Sequence, residues 1–368
     1  MPASRLLTEL QSLGMRLTDT DGAASRRGGA GPSDHKAIQL AGQTVMVPIH
    51  TASSHRSPFS ASPPGEDGAV MLLRDGAPVG RISFPPQPRY YGLQTSDGVP
   101  YWKIALLHGT DVLATTVLQT CIRTADRRTA CQFCAIGQSL AAGRTIAHKT
   151  PAQLAEVARA AVLLDGVRHM VLTTGTPNLV DRGAALLCES THAIKAAVAL
   201  PVQAQCEPPR DAAWYSRLRD AGVDSLGMHL EAATQAVRAR IMPGKATVSV
   251  ARYLDAFRDA VPVFGRGQVS TYLLAGLGDT AAEILALCET LVGIGVHPFV
   301  VPFVPISGTP LEAHAPPSPA FMRSVLAPLG RMLRDGHLLS TDVKAGCSRC
   351  GACSSQSAYE RAAYESAA

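Results

Sequence analysis

The sequence predicts an α/β chain: a partial (β/α)6 barrel of the TIM type, with a small β-rich N-terminal module before it and a cysteine-rich tail behind it. Three observations carry this. A strand–loop–helix pattern recurs six times between residues 105 and 335. The strands are near-continuous apolar runs, as in a parallel sheet covered by helices. The residues with chemistry to offer fall just after those runs, where the βα loops of a barrel gather. The expected divisions are 1–104, 105–335 and 336–368. At 368 residues and 46% hydrophobic, the chain can bury one large core with a smaller appendage.

The first hundred residues are irregular. RRGGAGPSD (26–34) and SPFSASPPGEDG (57–68) are Gly/Pro/Ser-rich loops. IQLAGQTVMVPI and AVMLLRDGAPVGRISF are strand-like, the second turning at Asp75-Gly76. DVLATTVLQT (111–120) opens the barrel. Thr150-Pro151-Ala152-Gln153 starts a helix, with threonine as N-cap, proline at the first position and glutamine at the third. That helix sets Leu154, Val157, Ala158 and Ala161 on one face. Further strands are expected at 169–175, 200–209, 224–232, 267–278 and 297–305, with helices near 182–199, 210–221, 248–260, 280–293 and 318–334.

No apolar run reaches the ~20 residues of a membrane helix, and the N-terminus lacks the apolar core of a secretory signal. A cytoplasmic protein with no membrane partner is expected. The net charge of +5 is modest. No dense basic stripe with interleaved aromatics appears, so nucleic acid is not an expected partner. Arg123, Arg127 and Arg128 gather near the first cysteines, either as a solvated turn or as a docking face for an acidic protein.

Nine cysteines in such a setting argue against a disulfide framework. Six form two triads, Cys121/Cys131/Cys134 and Cys347/Cys350/Cys353, while Cys188, Cys206 and Cys288 stand alone. Three thiolates on one loop suit zinc, which wants a fourth ligand that His108 or His148 could supply. They equally suit a [4Fe–4S] cluster with one iron left open for an exogenous ligand. The second triad is a CxxCxxC run, the opening of a bacterial ferredoxin motif, but Ser357 stands where the fourth cysteine would fall. An auxiliary iron–sulfur cluster or zinc would fit there. Cys206, after the third strand, is a candidate fourth ligand or hydrogen-atom donor, against the commoner fate of a buried, inert thiol.

The first loop, ending Cys131-Gln132-Phe133-Cys134, resembles that of the radical S-adenosylmethionine (SAM) superfamily, although its first gap is nine residues where CxxxCxxC is usual. The resemblance covers roughly residues 105 to 335. It implies that the first triad holds a [4Fe–4S] cluster chelated by the amino and carboxylate groups of SAM. It also implies an electron donor such as flavodoxin or ferredoxin, and a small-molecule substrate for the 5′-deoxyadenosyl radical. Thr174-Gly175-Thr176 would hold the methionine amino group, without the usual acidic residue. GMHLE (227–231) looks like the NHNLD and NHNIE segments of biotin and lipoyl synthases, which makes Glu231 a ribose clamp with His229 beside it. LLAGLGDTAAE (273–283), with Gly276, resembles the segment where adenine stacks, and PFVPISGTPLE (302–312) the sixth-strand segment. Arg240 or Arg252 would pair with the SAM carboxylate.

Taken singly, these motifs have plainer explanations: an ordinary βα turn, a helix-initiating acid, a core histidine. Their order at successive strand ends is what argues for the family. The chain is also similar to a bacterial radical SAM branch whose genes accompany a nitrilase, which suggests nitrogen or nitrile metabolism. The lipoyl synthase N-terminal cysteine motif is absent. Competing expectations are a two-cluster ferredoxin-like electron carrier and a zinc-stabilised binding module.

Overall fold

The computed structural model describes residues 2–17, 35–66 and 69–365. The expected turn at 26–34 and the last two residues of SPFSASPPGEDG lie outside them. The N-terminal part is a helix, Ala3–Leu13, packed on five antiparallel strands. These are β1 (His35–Leu40), β2 (Gln43–Pro48), β3 (Phe59–Ala61), β4 (Val70–Arg74) and β5 (Ala77–Ser83), in the order β2-β1-β5-β4-β3. Two-residue turns join β1 to β2 at Ala41-Gly42 and β4 to β5 at Asp75-Gly76. All four residues have positive φ, the twist that suits a tight hairpin. Leu10, Ile38, Val47, Phe59 and Leu72 fill the small core, and Ala358 from the far end of the chain joins them.

The second sheet has seven strands and is the curled, open half-barrel that the sequence predicts. These are β6 (Leu106–His108), β7 (Val112–Thr116), β8 (His169–Thr173), β9 (Val202–Gln205), β10 (Ser225–Gly227), β11 (Val269–Ala275) and β12 (Val296–Pro302). They lie in unbroken sequence order, with β7 to β12 parallel. The six parallel strands are the six expected units. β6 pairs antiparallel with β7 at one edge, and its three residues are too few to show a period. Thr150 and Gln153 form the expected capping box for the helix Pro151–Asp165, and Thr280 with Glu283 caps Ala281–Ile294 in the same way. Two short helices after β10, Gln235–Ile241 and Pro243–Ala246, occupy a stretch where no helix was expected.

The cysteine-rich tail turns back into the molecule. Cys347–Cys350 is one helical turn seated on β8 and β9. The Gly346 amide donates to His169 Nδ1 at 3.2 Å and the Cys347 amide to Gln203 Oε1 at 3.3 Å. Burial, aided by Arg349, holds the His169 pKa down to about 4, so the ring stays a neutral acceptor. The following helix, Gln356–Glu365, packs on Pro319–Asp335 so closely that a Cβ on Gly330 would meet the Tyr359 carbonyl carbon at 2.7 Å. Among the described residues, no helix is long and apolar enough to cross a membrane.

Candidate functional site

Cys121, Cys131 and Cys134 lie on the loop after β7. They line one cavity of about 310 Å³ with Gly175, Glu207, Glu231 and Lys245, at the C-terminal ends of the parallel strands. The loop is tied down on both sides. Toward β8, the Gly175 amide donates to the Leu118 carbonyl (2.9 Å), and the Ile122 amide to that of Thr176 (2.9 Å). A Cβ on Gly175 would fall 1.9 Å from the Thr120 carbonyl oxygen, so only glycine admits this approach. Toward the helices after β10, the Gln132 amide donates to Ile241 O (2.9 Å), its side chain to Arg240 O (2.7 Å), and the Gly244 amide to Thr129 O (3.0 Å).

A buried fork holds the loop to the end of β9. Arg123 donates from Nε to Glu207 Oε1 at 3.3 Å and from Nη2 to Oε2 at 2.9 Å, and Thr176 Oγ1 donates to Oε1 at 2.7 Å. Burial alone would raise the Glu207 pKa, but Arg123, with Lys245 and Thr176, holds it below the usual carboxylate value. Of the three arginines near the first cysteines, Arg123 is therefore internal, whereas Arg127 and Arg128 are exposed.

Glu231 follows β10 in the left-handed region, with φ +67. Its amide donates to Tyr272 O and its carbonyl accepts from the Leu274 amide, both at 2.8 Å, so pairing with β11 holds the uncommon backbone. Lys245 Nζ stands 2.8 Å from Glu231 Oε2, with both side chains largely buried. Burial opposes the lysine's charge, but Glu231, Tyr253 and Glu207 raise its pKa well above normal. His229 accepts the Tyr272 amide at Nδ1 (3.1 Å). Burial and Lys245 push its pKa down to about 3, leaving a neutral ring with its proton on Nε2.

The structure thus brings Thr174, Gly175, Thr176, His229 and Glu231 to the first triad. Arg240 and Gly276 are placed otherwise, whereas Cys206 lines the same cavity as the triad. Arg240 donates to the Leu277 carbonyl at 2.7 Å, packed under Gly278. Arg252 reaches the carbonyls of Pro209 and Arg210. Lys245 and Arg123 are the cations in the wall of the triad's cavity, and nothing in the local sequence of Lys245 marks it. Gly276, at φ +105, is packed against Pro317. Cys206 packs into the main hydrophobic core at the cavity wall, its thiol pushed up to about 12 chiefly by burial, and its neighbours Gln205 and Glu207 carry the polar contacts. Glu207 had the same signal as Glu231, an acid just past a strand, and was missed.

The donor set of the first triad fits an iron–sulfur cluster. The Thr176 amide points at Cys121 Sγ (3.4 Å) and the Ile136 amide at the Cys134 sulfur, the kind of hydrogen bond that tunes cluster sulfurs. Burial raises Cys131 well above the normal thiol range and Cys134 to about 11, so loading must displace protons. Among the described residues, no group of three His, Cys, Asp or Glu side chains is gathered around a single ion. Neither histidine considered for zinc completes this triad: His148 is exposed beside Leu118, and His108 lies at the other triad.

Cys347, Cys350 and Cys353 line a second cavity of about 280 Å³, which shares Phe133, Thr173, Gln205, His229, Glu231 and Ile306 with the first. The two triads therefore face adjoining cavities with a common wall. Gln205 Nε2 donates to Cys347 Sγ at 3.3 Å, the Ala352 amide to Cys350, and His108 Nε2 lies 3.4 Å from Cys353 Sγ. Cys350 packs on Val112, Ala114 and Val171, and burial pushes its thiol up to about 12. Ser357 lines a third cavity, which adjoins the second at Gln11 and Cys350.

Residues 127–291 match the family model of the Radical SAM superfamily. The match contains Cys131, Cys134, Glu231 and Lys245 and begins after Cys121. The match gives this chain a radical SAM domain, in agreement with the half-barrel and the triad after its first parallel strand. Three solved structures are similar in outline. Methylornithine synthase (PylB) is 18% identical at a TM-score of 0.47, over 62% of this chain and 64% of that one. HydG, a maturase of the [FeFe]-hydrogenase, is 16% identical at 0.46, over 60% and 49%. A radical SAM methyltransferase from Sphaerobacter thermophilus is 16% identical at 0.46, over 81% of each. The chain spans less than two thirds of the first two. No curated protein sequence matches it.

Proposed function

We propose that the protein is a radical SAM enzyme that binds its small substrate in the inner cavity, between the two triads. The observation that carries this is the wall that the two cavities share: the first triad, with Glu231 and Lys245, lines one and the second triad the other. Cys121, Cys131 and Cys134 would hold a [4Fe–4S] cluster that binds SAM. When bound and reduced, that cluster supplies the electron that cleaves SAM to methionine and a 5′-deoxyadenosyl radical. Cys347, Cys350 and Cys353 would hold an auxiliary cluster.

The chain's own residues do the positioning. The paired charges of Glu231 and Lys245 are set in place before any ligand arrives, an arrangement that costs no reorganisation on binding. Glu231 would accept the ribose hydroxyls, and Lys245, in place of Arg240, would meet the methionine carboxylate. Neutral His229 offers an N–H without a charge. Leu274, Val301 and Phe303 give the inner cavity an apolar wall, which favours a substrate with an apolar body. Exposed Arg127 and Arg128 would meet an acidic flavodoxin or ferredoxin. The GMHLE segment supports a place near the biotin and lipoyl synthases, and the likeness to the nitrilase-associated branch supports a nitrogen-containing substrate.

Anaerobically reconstituted protein should be brown and, once reduced, should release 5′-deoxyadenosine from SAM; Cys131→Ala should abolish this. Colourless protein loaded with zinc, or normal cleavage by Cys131→Ala, would overturn the assignment.

A further inference from the structure

We propose that His108 is the fourth protein ligand of the second metal centre, bound through Nε2 to the same metal ion as Cys353. This rests on the reading of the second triad as an iron–sulfur site and goes beyond it, since the CxxCxxC run offers three ligands and the ferredoxin position for a fourth is Ser357, on another cavity.

The geometry is that of two donors on one ion. His108 Nε2 and Cys353 Sγ are 3.4 Å apart. Tetrahedral coordination with metal–sulfur near 2.3 Å and metal–nitrogen near 2.0–2.1 Å places such donors about 3.5 Å apart. Histidine in place of cysteine on one iron of a two-iron cluster is established chemistry. The fold delivers His108 to this place by two routes. In the β6–β7 pairing it lies opposite Val112, and Val112 packs against Cys350, so adjacent strands both reach the triad. Behind it the chain turns at Gly109, where the Thr44 side chain of β2 closes down; a Cβ on Gly109 would meet Thr44 Cγ2 at 3.3 Å. His108 is buried and lines the inner cavity with all three cysteines.

A centre closed by four protein ligands keeps no iron open for a substrate to chelate. Its work would then be electron transfer, or chemistry at its bridging sulfides, at a potential above that of an all-cysteine cluster.

The test uses the full chain carrying Cys131→Ala and Cys134→Ala, so that only the second site loads, with 15N-labelled histidine. After anaerobic reconstitution, iron and sulfide are counted and the reduced centre is examined by pulsed EPR. The expected result is a cluster with a directly bound nitrogen, lost in His108→Ala. His108→Cys should keep the iron and sulfide, lose the nitrogen coupling and lower the midpoint potential. Should His108→Ala fail to load, His108→Cys alone decides. A loaded cluster without nitrogen coupling, or coupling that survives either substitution, overturns the ligand while sparing the cluster. A folded variant that takes up no iron and sulfide, or only zinc, removes the second cluster and the proposal with it.

Discussion

The amide of Met46 donates to the carbonyl of Ala352 at 2.8 Å, joining β2 to the turn between Cys350 and Cys353. Gln11 Nε2 donates to the same oxygen at 3.0 Å, and Thr8 Oγ1 lies 2.8 Å from Ser355 Oγ. The N-terminal sheet thus acts as a clamp on the second triad, across some three hundred residues of chain. Replacing Gln11 with leucine removes one donor at similar volume, and a typical buried hydrogen bond contributes about 1 kcal/mol. The variant should lose iron from the second site several-fold faster under chelator challenge, with the first site unchanged. Equal loss from both sites would refute the clamp.

Glu231 and Lys245 form a largely buried pair, and removing one member leaves the other uncompensated, at a cost of about 3–5 kcal/mol. Glu231→Gln and Lys245→Met should each lower the melting temperature and abolish SAM binding. The double variant should recover most of the stability and none of the binding. Calorimetric titration with SAM, alongside thermal melts, separates the two effects. SAM binding by the double variant at wild-type affinity would exclude the pair from the site.

Arg123→Ala strands Glu207, which is 6% exposed at its side chain. The loop should loosen, the fold should lose about 3 kcal/mol or more, and the first site should load poorly while the second loads normally. Arg123→Lys keeps the charge and loses the fork, so its first-site iron content should fall between those of wild type and alanine.

Gly175→Ala would place a Cβ 1.9 Å from a backbone oxygen. The β8 turn and the cysteine loop must then part. SAM cleavage should drop by at least ten-fold with little change in far-ultraviolet circular dichroism. Wild-type cleavage would show that this close approach has no part in the site.

Lys149 is buried, with Nζ donating to the Thr116 carbonyl at 2.7 Å and Gln119 Oε1 at 3.3 Å, and burial lowers its pKa to about 7. The folded chain therefore holds fewer protons than the unfolded one between about pH 7 and the ordinary lysine value near 10.4. Stability from this group rises with pH across that window by up to ~1.4 kcal/mol per unit, and the penalty is fully present below pH 7. Denaturant melts of Lys149→Met should show its stability relative to wild type falling steadily from pH 7 to pH 10. A constant difference would contradict the lowered pKa.

The sequence by itself determined the six strand–helix repeats, the helix start at Thr150, the tight turn at Asp75-Gly76 and the grouping of six cysteines in two triads. These rest on periodicity and spacing within a few residues, the range over which backbone conformation is decided. Glu231 was legible because it sits at a strand end in a familiar segment. Lys245 was not, because a lysine after a Pro-Gly turn has no local signature of burial. Only the tertiary structure brought Arg123 to Glu207, His108 to Cys353 and Met46 to Ala352. It also turned Arg240 away from the role that its position suggested. A polar group is buried only where a partner meets it, and in each of those pairs the partner lies in a distant part of the chain.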